Sequence, residues 1–437
     1  MKRKLALLLT AALAVSSLAA CGSKEEAPAD TNDAAVEETD DTAEVETTSD
    51  EGGVITYYGL SDWVDTEPYK QAYLDAKAQF EEENPGWTVE LQSDPWNDWN
   101  TKYKTMFAAG DAADVFLVNN PDFPAFANSG NLLNLEGYVE DDYFDQFFSG
   151  VLEMYTWQGE NQAIPFTTDC RVMWYNKEIF EEAGLDPETP PTTWEELAQY
   201  ANQIAENTDY YGFGMDLGLT EMPTQSMYCA SNSSLLIVGD DGSITPNVDT
   251  DEFRAYLQTL VDMKDSYEPD YAVLTHQDVA QLYVEGQIGI IIGNDLDETD
   301  ILEKDWYGMA LVPSYDGQTN GSYGGGFGIA VSSECENPEM AVKFAKILCQ
   351  PEICAVGQTT LAPTEAGMQL SDMYSNSAYE VYIEQIQSAR QAQPKTLFYT
   401  EIDTAVNEVV AKVLVDGMSV DDAVVEMENT INDIVSE

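Results

Sequence analysis

The sequence predicts an α/β protein of two lobes, each a mainly parallel sheet flanked by helices, and three observations carry that expectation. From Val54 the chain alternates apolar runs and helical periodicity as strand, helix, strand, helix, strand, the order of a parallel sheet wrapped by helices. The alternation resumes beyond residue 166. The roughly 380 residues from Val54 onward exceed what one hydrophobic core usually covers.

Val54 to Tyr58 reads as a short strand ending in a loop that carries Trp63. Tyr69, Tyr73, Ala76 and Phe80 stand at helical spacing, and Asn84-Pro85-Gly86 closes that helix. "WTVELQ" is the next strand; after Asp94-Pro95 comes a helix with Trp99, Tyr103, Met106 and Phe107, ended at Gly110. Trp96 and Trp99 read as helix packing, with the lining of a cleft as the alternative for one of them. Val115 to Val118 is a wholly apolar strand running into a polar turn. In open α/β sheets ligands sit beyond the carboxyl ends of strands, where Trp63, Asn119, Asn120 and Asp122 fall.

In the second half, Val172 to Tyr175 is strand-like, Lys177 to Ala183 a short helix and Asp186 to Pro191 a rigid loop. Thr193 is the N-cap of the helix that follows, with Glu195 and Glu196 in its first turn. "EFRAYLQTLVDMKD" is an amphipathic helix, and "QIGIIIGND" a buried strand ending in polar residues. "WYGMALVPSYDGQ" holds another strand and "SYGGGFGIAVSS" a glycine-laced one. Thr404 to Val435 is helical.

The start of the chain has a different character. Lys2, Arg3 and Lys4 precede a mainly apolar run from Leu5 to Val15, with the charge and length of a secretory signal rather than a membrane span. Residues 1–20 are therefore expected to be a signal peptide and the body exported. Leu18-Ala19-Ala20-Cys21 resembles the lipobox of bacterial lipoproteins, which implies a diacylglycerol on the Cys21 sulfur and anchorage by lipid alone. Residues 21–53 lack aromatic side chains and are rich in Glu, Asp, Thr and Ala, the composition of a self-repelling spacer.

With 18 basic against 80 acidic residues the formal charge is −62, which repels phosphate backbones and rules against nucleic-acid binding. Beyond Cys21 the cysteines are Cys170, Cys229, Cys335, Cys349 and Cys354, without short metal-type pairs. His276 is the single histidine, and no Gly-x-Ser-x-Gly stands near a strand. No metal, cofactor or catalytic residue is expected.

The runs "FAAGDAADVFLVNNPDFPAFANSGNLLNL" and "AIPFTTDCRVMWYNKEIFEEAGLDPETPPTTWEELAQYA", followed in order by "YVEGQIGIIIGND", "VPSYDGQ" and "GGGFGIAV", resemble the maltose-binding-protein-like extracellular receptors of ABC importers. The resemblance spans nearly all of Val54 to Glu437. It implies a hinged, periplasmic-binding-protein-like fold, with residues 54–165 plus 313–362 in one lobe and 166–312 plus 363–437 in the other. It also implies a monomeric, lipid-anchored receptor on the outer face of the cell membrane, which closes around a sugar or oligosaccharide and passes it to permease subunits.

A neutral sugar presents hydroxyls at its rim and C–H patches on its faces, so Asp, Asn and Arg with Trp or Tyr are suitable contacts. By the resemblance, Asn119, Asn120 and Asp122 match a polar turn where relatives carry charged sugar contacts, and Asp169 matches an acidic ligand contact with Arg171 two residues on. Asp295 falls where maltose-binding relatives stack a tryptophan, a departure that argues against a maltodextrin preference; Tyr399 matches another stacking position and is still aromatic. Asn294, Tyr228, Asn232, Tyr323, Gly325 and Phe327 complete the candidates, the glycines letting backbone amides approach a ligand. Local alternatives stand beside these readings: turn formation for Asn119, Asp122 and Asn294-Asp295, an ion pair for Asp169 and Arg171, and core packing for Tyr228, Tyr323 and Phe327. Two other functions stay open: a peptide or polyamine receptor, and a glycoside-active enzyme using Asp122 and Asp169.

Overall fold

The structure, a computed structural model, describes residues 52–217, 225–231, 233–239, 243–293, 304–319, 321–357, 360–370, 379–387, 389–390 and 395–436, with the backbone alone at 97, 379, 389, 390 and 399. The expected signal peptide, Cys21 and the acidic spacer up to residue 51 lie outside the described residues. Among the described residues no helix is long and apolar enough to cross a membrane.

The chain opens with β1 (Val54–Leu60), α1 (Ser61–Val64), α2 (Lys70–Glu83), β2 (Thr88–Asp94), α3 (Trp96–Ala109), β3 (Val115–Asn119) and α4 (Phe123–Asn128). It continues through β4 (Ala163–Pro165), β5 (Asp169–Cys170), β6 (Val172–Asn176), α5 (Lys177–Ala183), α6 (Trp194–Asn207) and β7 (Tyr211–Phe213). Then come α7 (Asp251–Asp262), α8 (His276–Val284), β8 (Ile288–Gly293), β9 (Tyr307–Ala310), β10 (Ser322–Gly325) and β11 (Phe327–Val331). The last part holds α9 (Pro338–Leu348), β12 (Ala389–Arg390), α10 (Tyr399–Ala411) and α11 (Val420–Ser436).

Two larger sheets and a connector are built from these elements, beside two two-stranded ribbons, Thr156–Trp157 with Glu160–Asn161 and Leu236–Val238 with Ile244–Pro246. The first sheet runs β2-β1-β3-β11-β4 and the second β9-β6-β8-β7. A three-stranded ladder, β12-β10-β5, joins segments that flank both. The α/β class and the two sheets agree with the sequence; the pairing is mixed rather than mainly parallel. β1 is parallel to β2 and β3, while β11 is antiparallel to β3 and β4. In the second sheet β8 is parallel to β7, and β6 is antiparallel to both β8 and β9. Strand direction depends on the end at which the returning chain enters the sheet, which no local residue pattern encodes.

Burial explains why the strands read as continuous apolar runs. All residues of β3 and β6 are buried. Along β6 the side chains alternate, Val172 and Trp174 packing into one large cluster and Met173 and Tyr175 into the other. Helices start where side chains cap them: Asn176 Oδ1 accepts from Glu178 N and Ile179 N at the start of α5, and Thr193 forms a capping box with Glu196 at the start of α6. The expected single helical tail is two helices, since a π-turn at Lys412–Asp416 ends at Gly417 with φ +74°, a conformation glycine takes without strain.

Candidate functional site

The carboxyl ends of β1, β2 and β3 and the beginning of β11 form one polar and aromatic edge of the first sheet. β1 and β2 end level, Leu60 opposite Asp94, and Phe327 at the head of β11 lies opposite Asn119 at the tail of β3. Each strand end therefore delivers its next residues to the same edge: Trp63 on α1, Trp96 at the start of α3, and Asn119, Asn120 and Asp122 before α4.

Rings make up the apolar part. Phe327 meets Trp63 edge-on at 5.1 Å between centroids and Trp96 edge-on at 5.9 Å. Trp63 also packs against Phe166 at 6.1 Å. Trp96, Trp99, Tyr103 and Phe126 form a near-parallel stack with separations of 5.6, 4.8 and 4.9 Å. Within the stack Trp99 is fully buried, whereas Trp96 is 45% exposed.

The polar part is tightly wired. Asn119 Oδ1 accepts from Asp122 N at 3.2 Å, turning the chain into α4. The Tyr103 hydroxyl donates to Asp122 Oδ2 at 2.8 Å, and Lys104 Nζ meets Asp122 Oδ1 at 2.8 Å. Burial, with the Asp122 charge added, pushes the Tyr103 hydroxyl pKa far up, so it stays a donor. Asn120 donates its backbone N–H to Gly326 O at 3.2 Å. Its Nδ2, like Trp99 Nε1, is buried without a protein partner among the described residues.

Asp169 and Arg171 sit on the connector. Asp169 Oδ1 accepts from Gly325 N at 2.8 Å and is paired with Arg171 Nη1. The Arg171 guanidinium lies over the Tyr323 ring, 4.6 Å from its centroid. The glycines here serve the chain itself: a Cβ on Gly325 would fall 2.9 Å from the Asp169 carboxylate. At Gly326, with φ +138°, a Cβ would fall 2.4 Å from Thr167 O. The close approach expected of "GGGFG" is thus made by Asp169 and the Thr167–Thr168 backbone.

Of the residues singled out from the sequence, Trp63, Asn119, Asn120, Asp122 and Phe327 share the sheet edge, and Asp169, Arg171, Tyr323 and Gly325 adjoin it through the connector. Tyr228 is elsewhere: it is buried in the second core against Phe253 and Tyr256, each at 5.5 Å, and donates to Ser234 O at 3.4 Å. Asn232, Asn294 and Asp295 lie outside the described residues, as does the side chain of Tyr399, the first residue of α10. Tyr103 and Lys104, absent from the sequence candidates, hold both oxygens of Asp122. The Asn119 and Asp122 turn hid them, because helical spacing alone places Tyr103 in a core.

A second polar cluster is buried at the carboxyl end of β7. His276 Nδ1 lies 3.3 Å from Asp216 Oδ2. Glu268, 2% exposed, accepts the Met215 N–H at 3.2 and 3.4 Å through its two oxygens. Burial pushes the Glu268 carboxyl up to about 7, opposed by its backbone hydrogen bonds. Among the described residues no group of His, Cys, Asp and Glu is arranged to hold a metal ion. Cys170, Cys229, Cys349 and Cys354 are buried and Cys335 is half-buried, and none of the five is in a disulfide among the described residues.

Comparison with known proteins agrees with this architecture. The profile of the family described as bacterial extracellular solute-binding protein matches residues 63–353. A Brucella abortus protein described only as a binding protein is 28% identical over 293 residues, covering 66% of this chain and 70% of its own length. An arabinooligosaccharide-binding protein of Halalkalibacterium halodurans is 25% identical over 302 residues, covering 64% of this chain and 65% of its own. Among solved structures, the sugar-binding protein MalE of Xanthomonas citri superposes with a TM-score of 0.75 at 22% identity, covering 88% of this chain and 98% of that one. That likeness assigns the two-lobed fold. The matched profile covers well over half of the sequence, and the chain belongs to the bacterial extracellular solute-binding proteins.

Proposed function

We propose that this protein captures a neutral sugar or oligosaccharide outside the cell and delivers it unchanged to the permease of an ABC importer. The observation that carries the reading is the edge where the rings of Trp63, Trp96 and Phe327 stand together beside the strand end carrying Asn119, Asn120 and Asp122. Rings cover C–H faces and donors meet hydroxyl oxygens. Charge supports a neutral guest: Lys102 is paired with Asp94, Lys104 with Asp122 and Arg171 with Asp169. An anion would have to displace one of these carboxylates, and a cation would have to compete with the bases. The arabinooligosaccharide ligand named for one relative supports the same class.

The lobes are assigned as residues 54–165 plus 313–362 and 166–312 plus 363–437, and they close by bending at the β12-β10-β5 ladder. Asp122 and Asp169 are held by internal partners, so the ligand contacts proposed for them orient hydroxyls and perform no hydrolysis. Cys21 holds the monomer to the membrane through its lipid, with 21–53 as the spacer.

Titration calorimetry against neutral mono- and oligosaccharides, with chromatography of the recovered sugar, tests the reading. Saturable heat with intact sugar is expected. Heat with shortened products would make the protein an enzyme. Binding only to peptides or polyamines, weakening steeply as salt rises, would replace the ligand class.

A further inference from the structure

The exposed ring at Trp96 is not accounted for by packing. Trp96 begins α3 directly after the carboxyl end of β2, and Pro95 precedes it as N-cap in an extended conformation. The strand end beneath it is secured: Asp94 accepts from the Tyr58 hydroxyl at 2.9 Å and meets Lys102 Nζ at 2.5 Å. One side of the Trp96 ring rests on Trp99 at 28° and 5.6 Å, and Phe327 stands edge-on to it at 88°. Beyond Trp99 the stack runs through Tyr103 to Phe126, so a rigid column of rings supports a tryptophan that is 45% exposed. Trp63, on the other side of Phe327, is 5% exposed.

A lone surface apolar residue needs no explanation. A large ring held at a fixed angle at the carboxyl end of a parallel strand, and sharing Phe327 with a second tryptophan, is a prepared flat surface. We propose that Trp96 is a specificity-determining ring that stacks on the C–H face of a sugar unit beyond the one enclosed near Trp63 and Phe327, so that the protein selects oligosaccharides over single sugars. This inference rests on the sugar-binding reading above. Column and ring are pre-ordered, so contact with a further sugar unit carries little additional ordering cost.

The test compares wild type with Trp96→Ala and Trp96→Phe in calorimetric titrations of arabinotriose and arabinose, and of maltotriose and glucose. The expected result is tighter binding of a trisaccharide than of its monosaccharide by the wild type. Trp96→Ala should then lose roughly tenfold or more in trisaccharide affinity, lose clearly less on the monosaccharide, and be largely rescued by Trp96→Phe. Acrylamide quenching gives an independent readout: wild-type fluorescence should become protected when the trisaccharide saturates, and Trp96→Phe should lose that protection. Equal trisaccharide affinity in wild type and Trp96→Ala, or a wild type that binds monosaccharides with no gain from chain length, overturns the inference while sparing the sugar-binding reading. A wild type that binds none of the four overturns both.

Discussion

Replacing Glu268 by Gln should change how stability depends on pH. Glu268 is 2% exposed, and burial raises its carboxyl from 4.5 to about 7, so the folded protein holds this proton more tightly than the unfolded chain. Protonation therefore stabilises the fold. The contribution is complete below pH 4.5 and is lost as pH rises through 7. Linkage converts the interval between the two values into about 3 kcal/mol overall, most of which falls between pH 5 and pH 8. A Gln keeps an oxygen that can accept the Met215 N–H, now 3.2 Å from Glu268 Oε1, and has no proton to lose. Carboxylates such as Asp316, lowered to about 2 by backbone N–H donors, lose their stabilising contribution only far below this window. His276 and Asp216 remain in both proteins, so the informative quantity is the difference between the two stability curves. Urea unfolding at half-unit steps from pH 5 to pH 8 should show Glu268→Gln gaining on wild type by about 2 kcal/mol or more toward pH 8. A difference curve that is flat across this range would refute the burial argument.

Three further outcomes follow from the geometry. Asp169→Ala removes an ion-pair partner of the buried Arg171 and the acceptor of Gly325 N, so unfolding free energy should fall by about 2 kcal/mol or more, and ligand affinity by roughly tenfold or more; unchanged values in denaturation and calorimetry would remove both roles. Gly326→Ala places a methyl 2.4 Å from Thr167 O at φ +138°, and thermal unfolding should report a loss of about 2 kcal/mol or more; a neutral substitution would mean that the connector yields easily. Cys21→Ala should release the protein from membranes into the medium or leave it uncleaved, as fractionation and lipid labelling would show; persistent lipid labelling would contradict the proposed anchor.

The secondary structure was legible wherever a local rule decides it. Thr193 caps α6, Val115 to Val118 forms the apolar body of β3, and "QIGIIIGND" contains β8. The edge carrying Trp63, Asn119, Asn120 and Asp122 was legible for the same reason, since residues that follow parallel strands gather at one end of the sheet. Less legible was the difference between Trp96 and Trp99. Three positions apart on one helix, they share a face, and the sequence reads both as packing with a cleft lining open for one without saying which; in the structure Trp96 stands at the exposed end of the ring stack, edge-on to Phe327. Tyr228 illustrates the opposite case, a polar aromatic residue whose surroundings of Phe253 and Tyr256 bury it in the second core.

By itself the sequence determined the alternation of strands and helices, several of their caps, the division into two apolar cores and the edge of the first sheet at which Trp63, Asn119, Asn120 and Asp122 gather. Each of these depends on residues a few positions apart, where hydrophobic period and backbone preference act directly. Tertiary structure alone decided the mixed strand directions, the capture of Gly325 N by Asp169 across 156 positions, and the Arg171 guanidinium over Tyr323. Those contacts join segments whose separation in the chain carries no local signal. They exist because the antiparallel pairing of β10 with β5 sets Gly325 opposite Asp169 and Gly324 opposite Cys170.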